Sequence, residues 1–436
     1  MPLLDVDRDL TRHSYYAATA PREQRFPALV ESADCDVAIV GGGLAGLSAA
    51  IELADRGFDV ALLEAEQVGW GASGRNGGQA IHGLACDQAT IEAQLGLDQA
   101  RRVWDMSIEA LDLIRARCQR FAIDCDWRDG YLAVATSPRK ARTLQADAHH
   151  LAERYGYATQ WIAQGDLPQW IASPRYVAGA YDARSGHLHT LKYSLGLARA
   201  AAGLGVRIHE GSTVTGIEPG TPSRLTLASG ATLRARQVLL AGNVYLHEFA
   251  PSLAPALSAR IMPVGTYIVC SAALDAALAT SLIPCGAAVC DTNFVLDYFR
   301  TTADQRMLYG GRVSYSTRTP AELAPSMQRR MAHTFPQLHD TAVEYAWGGF
   351  VDISMNRAPD FGRLDGNVYY LQGFSGHGLA LTGQAGKLVA EAMAGDASRF
   401  DTFARLKHRP FPGGRALRTP ALVLGMAYYR LRDMLS

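Results

Sequence analysis

The N-terminal part of the chain changes its hydrophobic period in a way that predicts a strand, a tight turn and a helix. Residues 35–40 form a short apolar run that ends in three glycines. Within residues 44–56 the apolar positions Leu47 and Ile51 follow helical spacing, and residues 58–63 return to β-favouring apolar residues. A strand, a glycine turn, a helix and a second strand within about 30 residues predict a βαβ unit.

The rest of the chain alternates helical and strand-like patterns. Residues 69–83 are too rich in glycine for a core element and predict a loop with a function. Residues 1–30, with Pro21 and Pro27 in their second half, predict an irregular arm before the first strand. Further helices are expected at 97–121 and 382–394, and further strands at 125–136, 206–218, 224–240, 257–315, 343–350 and 368–371. Because the strands lie far apart in sequence, the pattern predicts two interleaved domains.

The glycines after the first strand predict a dinucleotide site. Residues 41–46 fit the pattern G-x-G-x-x-G between a predicted strand and a predicted helix. In this pattern Gly41 permits the tight turn, Gly43 lets the backbone approach a pyrophosphate, and Gly46 lets the helix pack on the strand. Glu64 stands at the end of the second strand, where an acid can accept hydrogen bonds from a ribose diol.

The sequence does not indicate a second dinucleotide site. Residues 373–378 are also rich in glycine, but they have neither the spacing of the fingerprint nor an acid at the end of a following strand. We therefore expect one bound dinucleotide. Its electrons must then come from a source other than NAD(P)H.

Composition narrows the classes of partner. The chain has 436 residues, of which 48% are hydrophobic, with 42 basic and 42 acidic residues. No net field attracts nucleic acid or an anionic membrane surface, so we expect a small-molecule substrate. The seven cysteines form no C-x-x-C pair, which argues against a disulfide framework or a zinc site, and no metal is expected. Neither a secretion signal nor an apolar run of about 20 residues is present, so a cytoplasmic enzyme is expected.

Several dispersed segments resemble the D-amino-acid-oxidase (DAO) superfamily of flavoproteins. They are residues 41–50 with Glu64, the glycine-rich segment 69–79, the strand 238–243 and the turn 373–378. Within that superfamily, residues 14–16, 74–78, 296–300, 357–363 and 411–415 resemble the γ-glutamylputrescine oxidases. The likeness spans nearly the whole chain. It implies an FAD cofactor and oxidation of an amine.

The resemblance also implies which residues contact FAD. Residues 73–79 would lie along the flavin, Val214 would hold the adenine side, and residues 376–378 with Thr382 would cover the pyrimidine end. Arg75 would reach a phosphate or the ring, or lie at the surface, and His377 could instead be a solvent-facing loop residue. The predicted cofactor contacts are Gly41, Gly43, Leu44, Ala45, Gly46, Glu64, Ala65, Ala72, Ser73, Arg75, Asn76, Gly77, Gly78, Gln79, Val214, Gly242, Gly376, His377, Gly378 and Thr382.

Three departures from related sarcosine oxidases refine the picture. Those relatives attach their flavin through a late cysteine, whereas this chain has no cysteine after Cys290, so a non-covalent FAD is expected. Ala380 stands where they hold the substrate carboxylate with a lysine, which implies a substrate without an α-carboxylate. Leu308 stands where they have an oxygen-activating lysine. Another group must therefore activate oxygen, or another acceptor replaces it, and the family likeness favours oxygen.

Catalytic residues are harder to predict, because amine oxidation by a flavin requires no strong acid–base catalyst. The candidates are Trp347, Asp352, Tyr298, Asp297, Arg300 and His377. A cationic amine with a distal carboxylate calls for aromatic walls, an acceptor near the amine and an arginine at the far end. Asp297 and Tyr298 would face opposite sides of a predicted strand, so one face could line the cavity, or the strand could carry a solvated polar face. Trp347 could equally be a core residue.

These observations predict an α/β fold with a Rossmann-like FAD-binding domain of the glutathione-reductase-like, DAO type. That domain would comprise residues 1–90, 150–250 and 345–436, interleaved with a mixed, largely antiparallel sheet substrate domain at 91–149 and 251–344. The expected activity is oxidation of γ-glutamylputrescine or a similar N-acylated diamine to an aldehyde, with release of ammonia and hydrogen peroxide. Two alternatives stay open: an amino-acid or N-methyl-amine oxidase or dehydrogenase of the same fold, and a flavin-binding protein without turnover.

Overall fold

Two sheets, each with helices packed on it, organise the described part of the chain. The computed structural model describes residues 3–293, 295–314 and 322–412, so part of the 411–415 segment lies outside the described residues. The α-helices are α1 (Leu3–Thr11), α2 (Tyr15–Thr19), α3 (Leu44–Ala54), α4 (Gln88–Leu95), α5 (Leu97–Arg120), α6 (Pro138–Tyr155), α7 (Thr190–Gly203), α8 (Asn243–Phe249), α9 (Pro255–Ser258), α10 (Ala276–Leu282), α11 (Leu323–Thr334), α12 (Gly378–Met393) and α13 (Ser398–Ala404). The strands are β1 (Ala33–Val40), β2 (Val60–Leu63), β3 (Gln79–Ala80), β4 (Arg128–Ala135), β5 (Gln160–Ile162), β6 (Ala178–His187), β7 (Arg207–His209), β8 (Val214–Glu218), β9 (Ser223–Leu227), β10 (Thr232–Leu240), β11 (Ile261–Ser271), β12 (Ala288–Asp291), β13 (Tyr298–Thr301), β14 (Met307–Ser314), β15 (Val343–Ser354), β16 (Asp360–Arg363) and β17 (Val368–Gln372).

The first sheet is built around the predicted βαβ unit. Its strand order is β16-β17-β10-β1-β2-β7, and β17, β10, β1, β2 and β7 run parallel. Strand β9 pairs with the first half of β10 and β8 pairs with β9, both antiparallel, which forms the predicted meander. Helices α3, α5, α7 and α12 cover one face with an apolar core. Parallel strands of this kind end at one edge of the sheet, and the glycine turn lies there.

The second sheet is largely antiparallel. Its order is β15-β11-β14-β13-β12-β4-β6-β3, with β5 added to β6, and β12 with β4 is its parallel pair. An apolar core that includes Phe299, Tyr309 and Phe335 covers one face together with α10 and α11. Side chains alternate across each strand, so the neighbours of these core residues on β13 and β14 point to the opposite face.

Sheet membership differs from the predicted domain boundaries. Strands β3, β5, β6 and β15 fall in segments predicted for the FAD-binding domain, but they pair within the second sheet. Helix α5 falls in a segment predicted for the substrate domain, yet its apolar stripe packs against α12 on the first sheet. Hydrophobic patterns place such elements in a helix or a strand, but they do not identify the sheet with which each element packs.

The expectation of an irregular N-terminal arm is wrong for its first part. Residues 3–11 form α1, which buries Leu3, Val6 and Leu10 at helical spacing. Asp7, on the same face, is fully buried and forms a two-pronged ion pair with Arg75, with N···O distances of 3.0 and 2.6 Å. The arm is therefore docked by both apolar contacts and a buried charge pair. Among the described residues, no helix combines the length and the apolar character needed to cross a membrane.

We expect Asp7→Asn to destabilise the protein by about 3 kcal/mol, because it leaves the buried Arg75 guanidinium without its counter-ion. The midpoint of urea unfolding measures this loss. The matched control is Asp5→Asn, since Asp5 lies on the exposed face of the same helix. Equal midpoints for the two variants would show that the ion pair contributes nothing to stability.

Candidate functional site

The turn between β1 and α3 brings three backbone segments into close contact. Gly41 has a φ of +116°, and a Cβ there would lie 2.6 Å from the carbonyl oxygen of Ala241. A Cβ on Gly46 would collide with the carbonyl of Gly41, and one on Gly43 would lie 2.8 Å from Ser73 Oγ. Any larger residue would push these segments apart. The first turn of α3 has N–H groups without helical partners and a positive dipole end, which suits a pyrophosphate.

Glu64 closes the other side of this turn. Its carboxylate accepts hydrogen bonds from Gly42 N at 2.6 Å and from Glu66 N at 2.9 Å. Burial raises the pKa of Glu64 to about 7, although both backbone donors act to lower it. A carboxylate has more than two lone-pair sites, so Glu64 can still accept from a ligand hydroxyl.

The turn opens into a cleft of about 900 Å³ between the edge of the first sheet, the 70–73 loop and the first turns of α8 and α12. The lining residues are Val40, Gly41, Gly43, Leu44, Ala45, Leu63, Glu64, Ala65, Trp70, Gly71, Ala72, Ser73, Ser212, Thr213, Val214, Ala241, Gly242, Asn243, Tyr245, Leu246, Phe249, Leu371, Phe374 and Thr382. One end has the glycines and the acid of a nucleotide site, and the other reaches the N-terminal half of α12. The glycines, the acid and the helix N-terminus form the donor and acceptor set that a dinucleotide such as FAD requires.

Several predicted cofactor contacts lie along this cleft, and others lie beyond it. Those that line it are Gly41, Gly43, Leu44, Ala45, Glu64, Ala65, Ala72, Ser73, Val214, Gly242 and Thr382. Those outside the lining are Gly46, Arg75, Asn76, Gly77, Gly78, Gln79, Gly376, His377 and Gly378. Three aromatic residues that line the cleft, Trp70, Tyr245 and Phe374, were not among the predicted contacts. A signal existed for Trp70 and Phe374, which lie inside the glycine-rich segments 69–79 and 373–378, whereas Tyr245 lies outside these segments.

The loop that follows Ser73 is held by its own polar groups. Ser73 Oγ accepts a hydrogen bond from Leu44 N at 3.0 Å, which ties the loop to the start of α3. Asn76 donates to Ala72 O at 2.9 Å and accepts from Gly78 N at 2.8 Å. Gly78 has a φ of +78°, and a Cβ there would collide with the carbonyl of Leu188. These contacts give the loop one conformation before any ligand binds.

Arg75 does not reach the cleft, contrary to both predictions made for it. The side chain is 6% exposed and donates to Asp7, to Tyr245 Oη at 3.1 Å and to Gly348 O at 3.2 Å. Its guanidinium also lies over the Trp70 ring, 5.0 Å from the centroid. Asp7, which is distant in sequence, pairs with the Arg75 guanidinium that was expected to contact a phosphate. Arg75 therefore supports the wall of the cleft from behind.

Two of the candidate catalytic residues, Trp347 and Asp352, also stabilise the backbone beside the cleft. Trp347 is fully buried, packs edge-on against Tyr16 and donates from Nε1 to Arg75 O at 2.9 Å. Asp352 is buried and accepts hydrogen bonds from the backbone N–H groups of Gly373 and Phe374. Burial raises the pKa of Asp352 to about 6. Both side chains fix backbone near the cleft, and we do not place either in contact with substrate.

The strand β13 separates its polar residues as the alternation predicts, but Asp297 lies on the wrong face for an amine acceptor. Its buried carboxylate pairs with Arg175 and Arg330, each at 2.6 Å, beside the second-sheet core. On the opposite face, Tyr298 covers Gly310 and contacts Gly77 of the loop. The solvated polar face that was the alternative for this strand is also absent, since Asp297 and Arg300 are both buried.

Arg300 lies next to Tyr298, behind the same loop. It is 3% exposed and donates to Gly77 O at 2.9 Å, Leu188 O at 3.0 Å and Tyr16 Oη at 3.1 Å. Within the described residues its partners are neutral oxygen atoms, and no carboxylate pairs with it. An unneutralised buried cation is costly, so its field is available to an anion in the site.

The turn before α12 connects the two sheets. Ser375 and Gly376 both have positive φ, and His377 occupies the N-cap of α12. His377 donates from Nε2 to the carbonyl of His82 at 2.8 Å, so it is not the solvent-facing residue of the alternative prediction. Burial lowers the pKa of His377 to about 4, which keeps the ring neutral at pH 7.

Comparison with known proteins identifies the family. The family model described as DAO, FAD dependent oxidoreductase, matches residues 36–392. The chain belongs to this family. Gamma-glutamylputrescine oxidoreductase of Escherichia coli (strain K12) is 44% identical over 429 residues, covering 98% of this chain and 100% of the relative. Probable oxidoreductase OrdL of Haemophilus influenzae is 38% identical over 422 residues, covering 96% and 97%. The superfamily and the narrower likeness indicated by the sequence motifs are confirmed.

Solved structures of flavoenzymes share the fold. Glycine oxidase from Geobacillus kaustophilus matches with a TM-score of 0.69 and 22% identity over 83% of this chain and 95% of that chain. L-amino acid deaminase from Proteus vulgaris matches with a TM-score of 0.70 and 17% identity over 87% and 98%. The predicted fold class is confirmed. The cofactor of the DAO family is FAD, and the glycine-turn cleft has the features that FAD requires.

We expect Gly43→Val to prevent FAD retention, because the side chain would fill the space between α3 and Ser73. Binding of FAD to the apoprotein should weaken at least a hundredfold, about 2.7 kcal/mol. Flavin absorbance after purification and a fluorescence titration of the apoprotein measure the effect. The control is Gly203→Val, since a Cβ at Gly203 meets nothing within 4 Å. A Gly43→Val protein that purifies yellow would refute this placement of the cofactor.

We also expect FAD binding to depend on Glu64 ionisation. Donation from ribose hydroxyls favours the carboxylate, so binding lowers a pKa that lies at about 7 in this structure. The affinity should therefore fall as the pH drops below about 7, by up to tenfold per unit. Titrations of the apoprotein with FAD between pH 5 and 8 test this. The control is Glu64→Gln, which has no ionisable group at this position. An unchanged slope in Glu64→Gln would assign the pH dependence to another group.

Proposed function

We propose that this DAO-family protein is an FAD-dependent amine oxidase for γ-glutamylputrescine or a similar N-acylated diamine. The observation that carries the proposal is the full-length likeness to the Escherichia coli gamma-glutamylputrescine oxidoreductase. In the proposed reaction the substrate ammonium, oxygen and water give an aldehyde, an ammonium ion and hydrogen peroxide. FAD, when bound, would accept a hydride from the carbon next to the nitrogen and would pass two electrons to oxygen.

The position of Ala380 supports a substrate without an α-carboxylate. Ala380 is buried in the first turn of α12 and provides no cation there. On the rest of α12 the cationic side chain is that of Lys387, which lies more than one turn further along the helix. A free amino acid would need a cation close to its reacting amine, because a carboxylate is costly to desolvate without a partner. An N-acylated diamine carries no carboxylate at that place.

Tyr298 supports a substrate with an apolar chain. Its ring lies flat on Gly310 of the neighbouring strand and against Gly77 of the loop, so it forms an aromatic surface at the end of β13. Methylene groups next to a cationic amine pack well on such a ring. We propose that Tyr298 contacts the carbon chain, while the neutral residues of the loop hold the reacting end.

We propose that FAD is held without a covalent bond. The cysteines of the chain end at Cys290, and none of the residues that line the cleft in the described segments is a cysteine. Retention then depends on the glycine turn, on Glu64 and on the first turns of α3 and α12.

We propose oxygen as the electron acceptor. Leu308 is fully buried in an apolar cluster with Tyr16 and Trp347, so this position has no cation to offer. Arg300 pairs directly opposite Leu308 on the adjacent strand. Its unneutralised guanidinium is the positive charge that favours reduced oxygen species and an anionic reduced cofactor.

An anaerobic bleaching assay followed by oxygen-electrode measurements tests the proposed function. We expect γ-glutamylputrescine to bleach the bound flavin and to yield hydrogen peroxide in air, at a kcat/KM at least a hundredfold above that for putrescine, sarcosine, glycine or D-amino acids. Gly43→Val protein, which lacks flavin, serves as the control for peroxide from other sources. Preferred turnover of a free α-amino acid would overturn the argument from Ala380. Failure of every amine to bleach the flavin would indicate a protein without this catalytic activity.

A further inference from the structure

A histidine–aspartate pair, His82 and Asp182, lies outside the residues that line the cleft, and no function has been assigned to its side chains above. His82 Nδ1 lies 2.8 Å from Asp182 Oδ2. The same carboxylate accepts hydrogen bonds from Tyr157 Oη at 2.8 Å and from Arg184 N at 2.9 Å. Ser185 N donates to it as well, at 3.2 Å. So many donors fix the orientation of the carboxylate and keep it charged.

The pair leaves one nitrogen of His82 available. Because Asp182 is ionised and hydrogen-bonded to Nδ1, the proton of a neutral His82 ring resides on Nδ1. Nε2 then carries a lone pair, and among the described residues it has no hydrogen-bond partner. The side chain is 18% exposed, whereas Asp182 is almost fully buried. The His82 ring is therefore partly exposed, and a buried carboxylate holds it through Nδ1.

Aromatic rings surround the His82 ring. The His82 ring centroid lies 5.0 Å from that of Tyr157, 5.7 Å from that of Trp104 and 6.2 Å from that of Tyr131. Ring faces attract cations, and Trp is the strongest of the three types. A cationic amine is thus the ligand class that this enclosure suits. The titratable groups that face His82 are Asp182, Tyr131, Tyr157 and the neutral His377.

Two connections place the pair next to the flavin site. His82 follows the 70–79 loop, whose first part lines the cleft, with only β3 between them. Its carbonyl accepts the hydrogen bond from His377, at the N-terminus of the helix whose Thr382 also lines the cleft. Tyr131 lies on β4, on the strand face opposite the buried Leu132 and thus opposite the second-sheet core. The pair therefore lies between two segments that both run to the cleft.

We propose that His82, oriented by Asp182, is the base that takes the proton from the substrate ammonium. The proposal rests on the proposed amine oxidase function and adds the residue that prepares the amine. One N–H bond of the ammonium breaks, its electron pair stays on nitrogen, and the proton bonds to Nε2. FAD, when bound, would accept a hydride from the adjacent carbon, so that the lone pair on nitrogen could complete the C=N bond of an iminium ion. Water would then hydrolyse the iminium ion to the aldehyde and ammonium, and the proton on His82 would leave through the partly exposed ring.

Anaerobic stopped-flow measurements of flavin reduction test this role. We expect His82→Gln to bind FAD with an unchanged absorption spectrum but to be reduced about 10²- to 10³-fold more slowly at pH 7. The deficit should shrink as the pH rises towards the pKa of a free alkylamine, about 10, because the substrate then arrives neutral. His339→Gln is the control, since His339 is an exposed surface histidine. Imidazole added to His82→Ala should restore part of the rate.

Other outcomes would overturn the proposal. A His82→Gln enzyme with the wild-type reduction rate and pH profile shows that His82 takes no proton. A slow variant whose deficit is constant with pH, and which imidazole does not rescue, assigns His82 a structural role only. If His82→Gln fails to fold, the wild-type profile decides: a rate that follows only the ionisation of the free amine rejects a protein base. Failure of γ-glutamylputrescine to bleach wild-type flavin contradicts the proposed function instead, and the amine that does bleach it then replaces it in this test.

Discussion

The buried guanidinium of Arg75 joins four parts of the chain. It pairs with Asp7 of α1 and also binds the hydroxyl of Tyr245 on α8 and the carbonyl of Gly348 on β15. A buried charge of this kind is tolerated only when it is paired and fully hydrogen-bonded. Docking of α1 therefore adds a constraint to the loop that forms one wall of the cleft, beyond the loop's own hydrogen bonds. Trp347 adds a second constraint, because it binds the carbonyl of Arg75 itself.

Local sequence signals predicted the part of the site that local geometry determines. The glycine turn and Glu64 could be found because their backbone requirements recur wherever a strand and a helix hold a dinucleotide. The partner of Arg75 could not be found in this way, since Asp7 is 68 residues away and the ion pair exists only in the folded chain. The helical spacing of Leu3, Val6 and Leu10 was visible in the sequence, but the prolines that follow favoured an irregular arm.

The residues at the start of β13 show another case in which local sequence does not determine the structure. The period of two correctly separated Asp297 from Tyr298, but the period does not say which face meets the loop. That choice is made by pairing across strands: Gly310 on β14 leaves room for the Tyr298 ring, and Arg175 and Arg330 neutralise Asp297 on the other face. For the same reason, β6 lies in a segment predicted for the FAD-binding domain but pairs with β4 in the second sheet, because this long-range contact is not encoded in a hydrophobic pattern.

The charges around the loop explain why an amine would need a base here. Burial, together with the unneutralised Arg300 cation behind Gly77, lowers the pKa of His187 and of His189 to about 3. The N-terminus of α12 adds a second positive potential. Both favour negative charge on a bound cofactor and oppose an ammonium ion beside it. A neutral amine is therefore favoured beside the cofactor, and the proposed base, His82, lies between the aromatic rings and the turn before α12.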